Sequence, residues 1–303
     1  MSTTAIASSR ARERDYVLGT HYEELKRLGL QHQVWRPTVL ECWKGAGIRP
    51  GARVIDLGAG PGYATLDLAE MVGPEGEVYC VERSRRFVEA AAEACHERHY
   101  EHVHFHELDL MEDALPASNL DAAWCRWVAC FVSSPELLVE RIAQSLRPGG
   151  VAVFHEFLDY STWRLATPCP VMEDFVQQVM RSWQEAGGDP NVARRLPTLL
   201  NRAGFRIRSA VPRLFCLRPH ELMWRWPASF IEVNLQRLLE LGQVDEAWAQ
   251  RVRMAFATAT ADPTSLMLTP ILLEIVAERL DGEMAYGFNG RHSPPVAPRL
   301  HPS

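Results

Sequence analysis

The chain has 303 residues, enough for one large domain or a domain with an elaborated lid. Hydrophobic residues at 47% and charged residues at 23% describe an ordinary globular chain with a full core, and a formal net charge of −6 without a basic stripe speaks against nucleic acid as a partner. The seven cysteines are scattered and form no CxxC pair, which fits reduced thiols in a cytoplasmic protein and excludes a disulfide framework.

No apolar run is long enough to span a membrane, and Met1 to Arg14 lacks the apolar stretch of a secretory signal, so it reads as a frayed tail. Asp15 to Ala46 carries apolar residues at helical spacing, with Pro37 expected at a helix start. Strands and helices then alternate. Strands are expected at Arg53 to Leu57, Glu77 to Val81, Val103 to Glu107, Asp121 to Cys125 and Gly150 to Glu156. Helices are expected at Tyr63 to Val72, Ser84 to Cys95 and Pro135 to Leu146. Short apolar strands separated by helices imply parallel pairing with right-handed crossovers. Beyond Tyr160 the pattern predicts helices over Val171 to Glu185 and Val192 to Ala203, then a strand from Arg206 to Phe215. Helices follow from His220 to Ala259, and a strand region over Ser265 to Ala277 is broken by Pro270. Gly287 to Ser303 is rich in proline and reads as a disordered tail.

The fold expected is α/β: a Rossmann-like, doubly wound sheet of about seven strands with N-terminal and inserted helical lid elements. Residues 1–50 would form an N-terminal helical lid, 51–160 the ligand-binding core, and 161–282 further lid helices with the last strands. Residues 283–303 would be tail.

The central feature is Val54-Ile-Asp-Leu-Gly-Ala-Gly-Pro-Gly-Tyr63, a strand running through a glycine turn into a helix. Gly58, Gly60 and Gly62 let the backbone approach a ligand and adopt positive φ, and the following helix offers free N–H groups. A nicotinamide-dinucleotide loop would read GxGxxG, whereas here Tyr63 falls where the third glycine is needed. Asp56 precedes the loop and would repel a pyrophosphate, yet attract a sulfonium carrying an ammonium group. Glu82, with Arg83 beside it, ends the second strand, where an acid can accept from both hydroxyls of a ribose. Asp109 and Leu110 follow the third strand, where a carboxylate can accept from an adenine amino group and the backbone can serve a ring nitrogen.

With these motifs, and Leu146-Arg-Pro-Gly-Gly-Val-Ala-Val before the fifth strand, the chain resembles the class I S-adenosylmethionine-dependent methyltransferase superfamily. The resemblance covers about Arg53 to Tyr160. It extends to Arg195-Leu-Pro-Thr-Leu-Leu-Asn-Arg-Ala-Gly-Phe205 and, among bacterial members, to Tyr16-Val-Leu-Gly19 with Glu24, Arg27-Leu28 and Gln31. It implies S-adenosylmethionine as cofactor. Asp56 and Gly58 would hold its methionine part, Glu82 the ribose, and Asp109 with Leu110 the adenine. Arg126 and Trp127 would face the cofactor, and Gln31 and Tyr16 would close the site from the lid.

Methyl transfer from a sulfonium requires mainly alignment and exclusion of water, and a base only when the nucleophile carries a proton. His155 and Glu156 end an apolar strand at the sheet's functional edge, which makes Glu156 a candidate base and His155 a weaker one. Trp127 and Trp163 are candidate pocket aromatics. No metal is expected. His96, His99, His102, His104 and His106 straddle a helix end and an edge strand, and the fourth strand ends in Trp124-Cys-Arg-Trp127 where metal-dependent relatives place an Asp. The Asp/Asn-Pro-Pro-aromatic run of DNA amino-methyltransferases is absent, and Cys169 reads as loop.

The expected function is methyl transfer to an O, N or C atom of a small, fairly apolar metabolite, with no nucleic-acid or membrane partner and a homo-oligomer left open. One alternative is C-methylation of a prenyl-like substrate with Glu156 as base. Another is a non-catalytic protein that binds the cofactor or a partner.

Overall fold

The computed structural model describes residues 22–281; the expected tails, and Tyr16 with them, lie outside the described residues. The chain opens with helix α1 (Tyr22–Ala46), and then alternates β1 (Arg53–Leu57), α2 (Tyr63–Val72), β2 (Glu77–Glu82), α3 (Arg85–Glu97) and β3 (Val103–Glu107). It returns through β4 (Leu120–Arg126), α4 (Pro135–Ser145) and β5 (Leu146–Asp159). The second half holds a short β6 (Arg164–Leu165), α5 (Pro170–Glu185), α6 (Leu196–Arg202), β7 (Phe205–Arg213) and β8 (Cys216–Leu217). It ends with α7 (Arg225–Glu240), α8 (Glu246–Ala261), β9 (Met267–Leu268) and β10 (Ile271–Arg279).

Seven strands form one sheet in the order β3-β2-β1-β4-β5-β10-β7, and β6, β9 and β8 make a small second sheet. The strands from β3 to β5 are parallel, while β10 runs antiparallel to both β5 and β7. The expected doubly wound architecture is therefore the observed one. Strand order reverses between β1 and β4, and the carboxyl ends of these two strands open the crevice where such sheets take ligands. Ala152, Val153 and Phe154 on β5 are fully buried, which is why that strand reads as an unbroken apolar run. Helices α1, α5, α7 and α8 pack on one another as the lid. Among the described residues no helix is long and apolar enough to cross a membrane.

Two local expectations are corrected. Pro37 starts no helix, for α1 runs unbroken through it. The ring removes one backbone donor, but Pro37 and Gln33, whose carbonyl loses that bond, are both exposed, so water can replace it. Buried Trp35, Val39 and Trp43 hold the helix against the core on the other side. The helix expected over Val192 to Ala203 is split into a 3-10 turn at Val192–Arg194 and α6, with Pro197 in the first turn of α6. Replacing Pro37 by Ala restores the missing donor on an exposed face. It should raise stability by about 1–2 kcal/mol, read as a higher melting temperature, with no change in ligand binding.

Candidate active site

A cavity of about 570 Å³ opens at the carboxyl ends of β1, β2 and β4, beneath the lid. Its floor is the glycine turn. Gly58 has φ +63° and its Cα faces Val128, where an added Cβ would stand 2.5 Å from the Val128 side chain. Gly60 has φ +57° and donates its N–H to Glu82 Oε2 at 2.9 Å. Gly62 behaves differently: it is not in the cavity wall, and an added Cβ would lie 2.5 Å from Ala91 Cβ. It works as a helix-packing glycine between α2 and α3, which corrects the expectation of a ligand contact there.

Asp56 lies in the cavity wall, almost fully buried, and accepts from Thr65 Oγ1 at 2.7 Å. Burial lifts its pKa to about 6, against the opposing pull of the Thr65 hydrogen bond and the Arg126 charge. Arg126 closes β4 and also lines the cavity. Desolvation lowers its pKa to about 10, while the charges of Asp56 and Asp67 act to hold it up. Glu82 accepts from Gly60 N–H with one oxygen and from Ser84 N–H at 2.8 Å with the other, and burial raises its pKa. The Arg83 N–H also supports this carboxylate, which leaves one of its four lone-pair positions for a ligand hydroxyl. Arg83 lines the cavity with its Nη1 3.9 Å from Asp109 Oδ2, and Asp109 Oδ1 accepts from Met111 N–H at 2.7 Å. Leu110, Met111, Phe87 and Val81 supply an apolar slot beside these acids.

Gln31 joins from the lid, its Oε1 accepting from Arg27 Nη1 and Trp226 Nε1, each at 3.2 Å. Arg27 is tied to Glu24 through Nε at 2.7 Å and lies 4.2 Å over the Phe230 ring. The far half of the cavity is walled by Trp127, Phe131, Phe157, Trp183 and Phe230. Trp127 is stacked between Phe157 and Trp226 and holds φ +53°, a conformation a bulky residue adopts only when its surroundings enforce it.

Glu156 enforces it from below. Its Oε1 accepts from the N–H groups of Val128 and Ala129, each at 2.8 Å, and Trp127 N–H donates to the His155 carbonyl at 3.0 Å. Glu156 is fully buried and absent from the cavity wall, so the expected base is corrected to a backbone cap. The error has a physical origin: β5 continues past both residues to Asp159, so they lie inside the sheet and Phe157 lines the cavity in their place. His155 also leaves the site. Its Nε2 lies 2.9 Å from Glu274 Oε2, and Glu274 in turn accepts from Arg213 at 2.9 Å. With Cys42 these side chains form the one metal-like cluster among the described residues, but Arg213 offsets the carboxylate charge and burial pushes the Cys42 thiol up. It reads as a buried clamp joining α1, β5, β10 and β7. Trp163 is likewise core: it packs on Tyr160 and Phe175 and donates to Met267 Sδ at 3.4 Å.

The geometry fits S-adenosylmethionine. An acid and a guanidinium share the floor, a second acid, Glu82, stands at the end of the next strand, and an apolar slot with Asp109 lies beyond. Residues 55–154 match the family described as a methyltransferase domain. A demethylmenaquinone methyltransferase of Anoxybacillus flavithermus is 25% identical over 138 residues, 45% of this chain and 57% of that protein. A 2-phytyl-1,4-naphtoquinone methyltransferase of Trichormus variabilis is 27% identical over 128 residues, 42% of this chain and 55% of that protein. A protein-L-isoaspartate O-methyltransferase of Methanothrix thermoacetophila is 33% identical over 103 residues, 34% of this chain and 46% of that protein. The chain spans about half the length of these curated relatives. Among solved structures, the [4+2]-cyclase SpnF has TM-score 0.51 at 20% identity, covering 82% of each chain. The YcgJ protein of Bacillus subtilis has TM-score 0.51 at 19% identity, covering 79% of this chain and 96% of that one. At these identities the structural likeness speaks for the fold. Residues 55–154 thus carry the likeness to a methyltransferase domain, set on a doubly wound seven-stranded sheet.

Burial raises the pKa of Glu156 to about 7. The native protein then keeps a proton that the unfolded chain has released, so this group's contribution to stability falls as pH rises from about 4.5 to about 7. Glu156→Gln keeps an oxygen for Val128 and Ala129 and buries no charge, so it should match or exceed the parent melting temperature above neutral pH. Glu156→Ala strands both donors and should cost about 2–4 kcal/mol, measured by denaturant unfolding.

Proposed function

We propose that the protein transfers the methyl group of S-adenosylmethionine to an O, N or C atom of a small, fairly apolar metabolite. The observation that carries this reading is one cavity with two halves: a charged floor at the strand-order reversal, continuous with an aromatic chamber roofed by lid helices. The cofactor supplies an electrophilic methyl on a sulfonium. The chain supplies position and dryness. Asp56 and Gly58 take the amino-acid end, Glu82 the ribose, and Asp109 with Leu110 the adenine. Trp127, Phe157 and Phe230 shape an apolar chamber that excludes water.

Two relatives are named for acting on quinones, which are small and apolar; this supports the same substrate class here. A protein substrate, as the isoaspartyl relative's name implies for that enzyme, needs an open face, and α1, α5 and α7 all contribute to the wall over this cavity. C-methylation of a prenyl-like substrate loses its proposed base, since Glu156 is fully buried and lines no part of the cavity. All seven cysteines are free, which supports a reducing, cytoplasmic setting.

Incubation with methyl-tritiated S-adenosylmethionine and fractionated cell extract tests the reading. Label should enter the solvent-extractable small molecules. Label confined to protein or nucleic acid would contradict the substrate class, and bound cofactor with no transfer at all would favour the non-catalytic alternative.

A further inference from the structure

Between lid and floor runs a polar chain to which the sequence drew no attention. His32, buried on α1, places Nε2 2.9 Å from Asp67 Oδ2 of α2 and Nδ1 3.1 Å from Arg126 Nη2. A guanidinium has only N–H donors, so Nδ1 must accept and the ring proton must sit on Nε2, donating to Asp67. Burial supports this neutral form by lowering the His32 pKa. Arg36 holds Asp67 from the solvent side, with Nε 2.8 Å from Oδ2. The chain Arg36–Asp67–His32–Arg126 thus runs from the surface to the cavity wall.

Arg126 ends this chain with Nη1 buried and without a hydrogen-bond partner among the described residues. A guanidinium in that state calls for an anion. Beside it, on the neighbouring strand, Asp56 offers the opposite charge to the same cavity; β1 and β4 pair in register up to Leu57 and Cys125. One acid and one guanidinium side by side complement an α-amino-acid zwitterion. We propose that Asp67 and His32 are positioning residues that orient Arg126 to bind the carboxylate of the cofactor's amino-acid end, with Asp56 taking its ammonium. This rests on the methyltransferase reading above.

The test is calorimetry with two ligands, S-adenosylhomocysteine and 5′-methylthioadenosine. They share the nucleoside and the thioether, but the second has no amino-acid end. His32→Gln reaches toward Asp67 and removes the acceptor for Arg126. It should weaken S-adenosylhomocysteine about tenfold, the worth of one charge-assisted hydrogen bond, and leave methylthioadenosine within about twofold. His32→Asn puts an amide oxygen near the place of Nδ1 and should bind S-adenosylhomocysteine more tightly than His32→Gln. If the His32 variants do not fold, Asp67→Asn should show the same discrimination between the two ligands. Equal weakening of both ligands, or no weakening of either, would overturn the proposal. A parent protein that binds neither compound would overturn the cofactor reading beneath it.

Discussion

One buried carboxylate accepting two backbone N–H groups sets the geometry of the site. Glu156 on β5 reaches under the end of β4 and takes the amides of Val128 and Ala129. That bond fixes the turn in which Arg126 faces the floor and Trp127, at positive φ, becomes a wall. Without it the turn would leave two buried donors unsatisfied beside an unfavourable backbone conformation. The lid depends on the same turn, since Trp127 stacks on Trp226 of α7 and packs edge-on to Trp35 of α1.

The charged groups here are shifted chiefly by desolvation. Asp56 rises to about 6, Glu156 rises to about 7, and Arg126 falls to about 10. Only Asp56 and Arg126 of these line the cavity. A zwitterionic ligand would relieve both at once, restoring an ammonium to the acid and a carboxylate to the guanidinium. Glu156 has no such relief, and its shift belongs to the scaffold. Perturbed acids therefore mark two different things in this fold, and the cavity wall separates them.

Much of this was legible in the sequence because local patterns carry it. Alternating short strands and helices announced the sheet, and Arg53–Leu57, Tyr63–Val72 and Val103–Glu107 form the elements expected of them. Asp56, Glu82 and Asp109 could be placed because each stands at or just past the carboxyl end of a strand, at the edge where ligands bind. What was not legible depends on which face a side chain takes and on contacts distant in sequence. His155 and Glu156 were expected at a strand end, but β5 runs on to Asp159 and neither side chain lines the cavity. Gly62 has the composition of a ligand-facing glycine and the contacts of a packing one. Phe131, Phe157 and Arg237 enter the wall from separate elements, and His32 meets Arg126 across 94 positions of sequence, so no spacing could reveal them.

The most direct measurement is calorimetric titration with S-adenosylmethionine near neutral pH and again near pH 5, with NADH as control. In the proposed site an ionised Asp56 holds the ammonium, and its pKa is about 6, so affinity should weaken on acidification. The expected result is micromolar binding at neutral pH, weaker binding in acid, and no binding of NADH. Binding of NADH in place of S-adenosylmethionine, or of neither, would contradict the assignment of this cavity.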